Sequence, residues 1–265
     1  MATPDTREFL AAHEVFTVDE FRDRLDPSAA DHSVWLRLSH AKERGWVDRV
    51  TRGVYVSRVG VFAARQPDPL VVASKLAADA VLVYHSALEA SGVAHSAFFQ
   101  ATVASVSAPR SLTFRDVEYR RVRERPQLND ASTRERYTQM ARRGDYLVRT
   151  TSRERTIVDC LDRPDLSGGL EEVLRSVGGF PSLRVDDVLG YLDLLDSPTA
   201  TSRVAWALFA VPDQWLLTEQ HAERFRKRLG RGPYYLARSK RAMRFVNEWR
   251  LYVPADVDAK ELLNG

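Results

Sequence analysis

The sequence predicts an α+β protein, with a small helix-and-hairpin domain over residues 1–66 and a larger mixed α/β domain over residues 67–265. Three observations predict this. Helix-start signals and apolar residues three or four apart dominate the first 44 positions. Two short β-branched runs separated by a glycine turn follow at 46–56. From about Pro67, strand-like runs alternate with helical ones. A chain of 265 residues suits two domains at roughly 100–200 residues each.

Thr3-Pro4-Asp5 is expected to open a short helix carrying Phe9 and Leu10. Thr17-Val18-Asp19-Glu20 has the form of a capping box, in which hydroxyl and carboxylate satisfy the free amides of a helix start. Phe21 and Leu25 supply an i, i+4 apolar stripe, and Pro27 ends it. A third helix is expected from Ser28 or Asp31 to Arg44, stopped by Gly45. The hairpin pairs 46–50 with 54–56 around Thr51-Arg52-Gly53. Beyond Pro67 the pattern predicts helices at 71–78 and 86–90, and strands at 101–106, 117–122 and 146–150. Thr151-Ser152-Arg153-Glu154 forms a second capping box, opening a helix with Arg155 and Asp159 at i, i+4. Gly168-Gly169 breaks the chain before helices at 170–177, 186–195 and 204–210.

At roughly 100° per residue the third helix separates into two neighbouring faces. Ala30, Val34, Leu38 and Ala41 form a packing face; Ser33, Arg37, His40 and Arg44 form a polar one. Such a helix can pack on two others while offering donors to a major groove, where Arg bonds guanine bidentately. Arg49 and Arg52 on the hairpin are placed to meet phosphates or a minor groove. Helix, capped helix, helix and glycine-turn hairpin in this order predict a winged helix-turn-helix with double-stranded DNA as partner.

The segment Gly45-Trp46-Val47-Asp48-Arg49-Val50-Thr51-Arg52-Gly53-Val54-Tyr55 resembles the wing of the AbiEi-type antitoxins of type IV toxin–antitoxin systems. Further segments are similar to that family: His85 to Gly92, Thr151 to Pro164 with the helix after it, and Trp249 to Pro254. Arg153 stands where the family usually has proline. The resemblance implies an antitoxin-like second domain, repression of the protein's own promoter, and antagonism of a nucleotidyltransferase toxin encoded beside it. Two other classes remain open on sequence alone: a ligand-responsive regulator without a toxin partner, and a DNA-processing enzyme.

Signals for catalysis are weak. P-loop, Gly-x-Ser-x-Gly and His-Glu-x-x-His motifs are missing, and the six histidines lack ligand spacing, so no enzyme activity, cofactor or metal is expected. Asp256-Val257-Asp258-Ala259-Lys260 has the outline of a nuclease motif but lies near the end, where a fraying tail is expected. Cys160, the single cysteine, sits in an apolar helical pattern and reads as a core residue; Arg155 and Asp159 read as a structural pair. With one cysteine, no apolar run of about 20 residues and no basic-apolar leader, a cytoplasmic protein without membrane contact is expected.

Net charge is +3, but charge is uneven. Residues 222–244 hold nine Lys or Arg against the single acid Glu223, whereas 151–200 hold five Arg against ten acids. Arg224, Arg226, Lys227, Arg228, Arg231 and Arg241 are therefore a candidate polyanion or partner surface, or else a solvated face over core aromatics.

Overall fold

The computed structural model of the protein describes residues 6–236 and 242–264. It is a mixed α+β structure with several sheets, in two compact units. One comprises Met1–Ala80, Phe99–Arg123 and Arg142–Val148; the other comprises Val81–Phe98, Glu124–Ala141 and Arg149–Gly265. The expected start at Thr3-Pro4-Asp5 lies outside the described residues.

The first unit begins with α1 (Thr6–Ala12), β1 (Val15–Thr17), α2 (Val18–Leu25), α3 (Asp31–Glu43), β2 (Val47–Thr51) and β3 (Val54–Ser57). The capping box forms as read: Thr17 Oγ1 accepts from the Glu20 amide at 3.2 Å, and Glu20 Oε2 accepts from the Thr17 amide at 2.9 Å. β1 is a strand that the sequence reading lacked. It pairs antiparallel with β3, Phe16 opposite Tyr55, to give a sheet of order β1-β3-β2. Phe9 meets the rings of Phe16 and Phe21 edge-on, each at 5.1 Å, in a core closed by Leu25, Val34, Leu38, Ala41 and Val47. Ala30 corrects the expected packing face, because it is the exposed N-cap of α3 rather than part of the buried stripe.

Helix α4 (Pro69–Lys75) starts and stops earlier than the periodicity suggested. Asp68 accepts the Leu70 amide at 2.8 Å, and Pro69, which needs no amide partner, opens the first turn. After β4 (Val81–Leu82) and α5 (His85–Ala90), which belong to the second unit, the first resumes with β5 (Gln100–Ala104), β6 (Ser111–Phe114) and β7 (Val117–Val122). These run in the order β6-β7-β5, with β7 antiparallel to β6 and parallel to β5. The β6–β7 turn is Arg115-Asp116, at φ +47° and +64°. A two-residue turn needs such angles, and here they fall on non-glycine residues. The Arg115 guanidinium is held in place by Asp48 and the Arg65 carbonyl.

The chain continues with α6 (Ala131–Arg136), β8 (Thr138–Arg143), β9 (Tyr146–Thr151) and α7 (Arg153–Asp162). Strand order is β4-β9-β8, with Leu82 of β4 parallel to Thr150. The cap of α7 is Ser152, whose hydroxyl accepts the Arg155 amide, rather than Thr151. Thr151 instead ends β9, and its hydroxyl bonds that of Thr156 at 2.6 Å. Around α7 pack α8 (Leu170–Gly178), α9 (Val185–Leu195) and α10 (Pro198–Leu208), joining Ile157, Val158 and Leu161 to Val173, Val188 and Val204 in one core. Helix α10 begins six residues before the expected position, since Ser197 caps it and Pro198 occupies its first turn. Then come α11 (Glu219–Arg226), β10 (Tyr234–Tyr235), β11 (Met243–Val246), β12 (Leu251–Pro254) and α12 (Ala259–Asn264).

The chain end is not a fraying tail. Asp258 Oδ1 accepts the amides of Lys260 and Glu261 at 2.8 and 3.2 Å, starting α12, and Ala259 and Leu263 are buried. Gly178 permits this docking, because a Cβ there would lie 2.0 Å from the Leu263 carbonyl oxygen. Gly178→Ala is therefore expected to cost about 1–3 kcal/mol by forcing backbone apart. Hydrogen exchange should show faster exchange at the Leu262 and Leu263 amides, and unchanged exchange there would mean that α12 docks by other means.

Candidate nucleic-acid interface

Helix α3 presents three longitudinal faces. Val34, Leu38 and Ala41 are buried against the first unit's core. At roughly 100° per residue, Ser33, Arg37, His40 and Arg44 lie about a quarter turn to one side, all exposed. On the other side an open groove of about 390 Å³ runs between α3 and the β2–β3 hairpin. His32, Trp35, Leu36, Ser39 and Lys42 line it from the helix, and Arg49 and Tyr55 from the hairpin. Of the six expected contact residues the groove thus contains Arg49 alone. His32, Ser39 and Lys42, which the sequence reading passed over, share it. Only their position relative to the hairpin, not the helical wheel, places them there.

The hairpin turns at Arg52-Gly53, with Gly53 at φ +84° and Thr51 opposite Val54. A register shift between Arg49 and Thr51 twists β2, and Arg49 Nε donates to the Thr51 carbonyl at 3.2 Å. Arg52 stands exposed at the tip, while the Gly53 carbonyl accepts the Val18 amide at 3.0 Å and ties the turn to the start of α2. Arg44 lies with its guanidinium 5.0 Å from the Trp46 ring. Burial raises the Tyr55 phenol above its ordinary value, against the pull of Arg49. Among the described residues, no carboxylate pairs with Arg37, Lys42, Arg44, Arg49 or Arg52, although Arg22 and Arg58 nearby are paired with Asp31 and Asp48.

The basic stretch of the second unit has a different character. Arg224 pairs with Asp186 at 2.7 Å, and Arg228 holds both oxygens of Asp193 at 2.6 and 2.7 Å. Arg226 reaches Glu219 and, at 2.5 Å, Glu248. The acids of other elements therefore neutralise three members of the cluster. Lys227 and Arg231 are exposed and form no ion pair among the described residues; Arg241 lies outside those residues.

Elsewhere titratable side chains bond to one another. Arg155, 1% exposed, directs Nη2 to Glu124 at 2.7 Å and Nε to Asp159 at 3.1 Å. Asp159 also accepts from Arg125 at 2.9 Å and from the Tyr191 hydroxyl at 3.0 Å, and Arg125 reaches Asp162 at 2.8 Å. The expected Arg155–Asp159 pair is thus part of a larger network. His85 has Nδ1 3.2 Å from Glu89 and Nε2 3.2 Å from Glu172. Burial raises the Glu172 carboxyl, but bonds from Ser96, Ser176 and His85 outweigh it and hold it below the usual range. Cys160 is fully buried, and burial pushes its thiol up to about 12, unsuited to a thiolate nucleophile. Among the described residues no helix is long and apolar enough to cross a membrane, and no group of three or more His, Cys, Asp or Glu could hold a metal ion.

No family model matches the chain, and no curated protein does. Solved structures do. The RV2827C protein from Mycobacterium tuberculosis is 15% identical, with a TM-score of 0.57 over 93% of this chain and 89% of that one. The likeness is one of fold, a mixed α+β arrangement along almost the whole chain.

Proposed function

We propose that the chain is a sequence-specific DNA-binding protein, reading duplex DNA through an N-terminal winged helix-turn-helix with α3 as recognition helix and β2–β3 as wing. The observation that carries this reading is the set of exposed Arg37, Lys42, Arg44, Arg49 and Arg52 around α3 and the hairpin, none held by a carboxylate among the described residues. Unpaired guanidinium groups beside an exposed helix suit phosphates and base edges. The order α1-β1-α2-α3-β2-β3 with sheet order β1-β3-β2 also supports it, since it sets a hairpin beside a third helix that is exposed on both flanks. The wider role, repression of its own promoter and antagonism of a nucleotidyltransferase toxin, rests on the resemblance to AbiEi-type antitoxins.

Selection of bound sequences from a random duplex library, with the full-length protein, tests the first part. Enrichment of one site supports it, and no enrichment would refute it. Growth rescue of cells expressing the adjacent nucleotidyltransferase tests the second. Within this reading Arg52, at the tip of the turn, is a phosphate contact. Arg52→Ala is expected to weaken all duplexes alike and to lower the salt slope of binding by about one. Anisotropy titrations across a salt series would show this; an unchanged slope with altered sequence preference would make Arg52 a base reader instead.

A further inference from the structure

Leu36 stands on the side of α3 that faces away from the core. It is two residues from Val34 and two from Leu38, roughly 160° round the helix from each, and both of those are buried in the first unit. Its own side of the helix is otherwise polar, with His32 one turn before it and Ser39 and His40 one turn after it, all exposed. Leu36 is 48% exposed, and its neighbour Trp35, on the hairpin side, is 36% exposed. Apolar residues scattered singly over a surface need no special cause. These two adjoin, and both line the open groove between α3 and the β2–β3 hairpin.

The charge lies in the same groove. Lys42 and Arg49 line it together with Trp35 and Leu36, and neither pairs with a carboxylate among the described residues. Arg37, equally unpaired there, follows Leu36 on the opposite flank. Glu43, the acid on the outward side, lies about 10 Å further along the helix, two turns on. An apolar contact bracketed by cations suits a polyanion that carries apolar groups of its own. Base edges in the major groove offer donors and acceptors, and the apolar group among them is the 5-methyl of thymine. Resting on the reading of α3 as a recognition helix, we propose that Leu36 selects a thymine by covering that methyl. Trp35 flanks the contact, and Lys42 and Arg49 meet the adjoining phosphates. A leucine can neither hydrogen-bond a base edge nor attract a phosphate, so it favours an A·T pair where the arginines of the same helix favour guanine.

The test uses full-length protein and the duplex enriched from the random library, with each thymine replaced in turn by deoxyuridine, which pairs alike but lacks the methyl. Anisotropy is expected to show binding by the wild type about three- to tenfold weaker at one or two of these positions, and unchanged at the rest. Leu36→Ala should bind the thymine and deoxyuridine duplexes equally, with the affinity that the wild type has for the deoxyuridine duplex. Leu36→Met should restore the preference for thymine. Circular dichroism checks that both variants fold, and the wild-type comparison needs no variant at all. A wild type indifferent to deoxyuridine at every position would overturn the proposal. So would full methyl preference in folded Leu36→Ala, because the preference would then come from another residue or from duplex shape. Loss of self-association in Leu36→Ala, with methyl preference intact, would overturn it by making Trp35 and Leu36 a contact between two copies of the chain. Failure to enrich any duplex would refute DNA reading by α3 and this proposal with it, whereas enrichment without methyl dependence would overturn the role of Leu36 alone.

Discussion

Full-length protein carrying Arg37→Ala and Arg44→Ala is expected to bind its selected duplex about 2–6 kcal/mol more weakly, with relaxed preference at one or two base pairs. Each of these exposed guanidinium groups lies on the flank of α3 away from the hairpin, and neither is committed to a carboxylate among the described residues. Each can therefore form a bidentate contact with guanine. The pair Lys42→Ala and Arg49→Ala, on the groove side, provides the contrast. It is expected to weaken specific and non-specific duplexes equally and to lower the salt slope by about two, as the loss of two phosphate contacts should. Circular dichroism checks that both variants fold, and competition anisotropy with base-substituted sites measures preference. Full affinity and preference in the Arg37/Arg44 variant, with preference lost in the Lys42/Arg49 variant, would move base reading into the groove beside His32 and Ser39.

That contrast reflects what a helical pattern can and cannot convey. The buried stripe of α3 was legible because Val34, Leu38 and Ala41 recur at helical spacing. Which flank faces the hairpin was not, since it depends on how β2 and β3 return along the helix. Local punctuation located elements well where a single residue decides the backbone, as at the Thr17–Glu20 box and the Gly53 turn. It failed where the deciding residue was atypical. The β6–β7 turn uses Arg115-Asp116 in left-handed conformation without glycine, so β6 gave no hairpin signal. β8 (Thr138–Arg143) is polar and partly exposed, without the alternation that marks a half-buried strand. β1 has only three residues and becomes a strand through pairing with β3. The basic run 222–244 was visible as composition, but the pairing of Arg224, Arg228 and Arg226 with Asp186, Asp193 and Glu248 is a tertiary property. Equally hidden was the proximity of Tyr235, Phe245 and Tyr252, which become neighbours only through strand register.

Arg155→Ala is expected to destabilise the protein by about 3–5 kcal/mol, because it leaves the buried Glu124 carboxylate without its cation and takes from Asp159 one of its two guanidinium partners. The i, i+4 spacing with Asp159 suggested an ordinary helix pair. The structure instead places Arg155 between Asp159 on its own helix and Glu124, 31 residues earlier, with both partners largely withdrawn from water. Its guanidinium bonds the two acids from Nε and Nη2, a fork that an ammonium group cannot reproduce, so Arg155→Lys should recover less than half of the loss. Urea denaturation of the three proteins at about pH 7 measures both losses. Full recovery by Arg155→Lys would mean that a single positive charge suffices between Glu124 and Asp159. Loss without recovery would establish that the forked guanidinium, rather than charge alone, anchors α7 to the segment before α6.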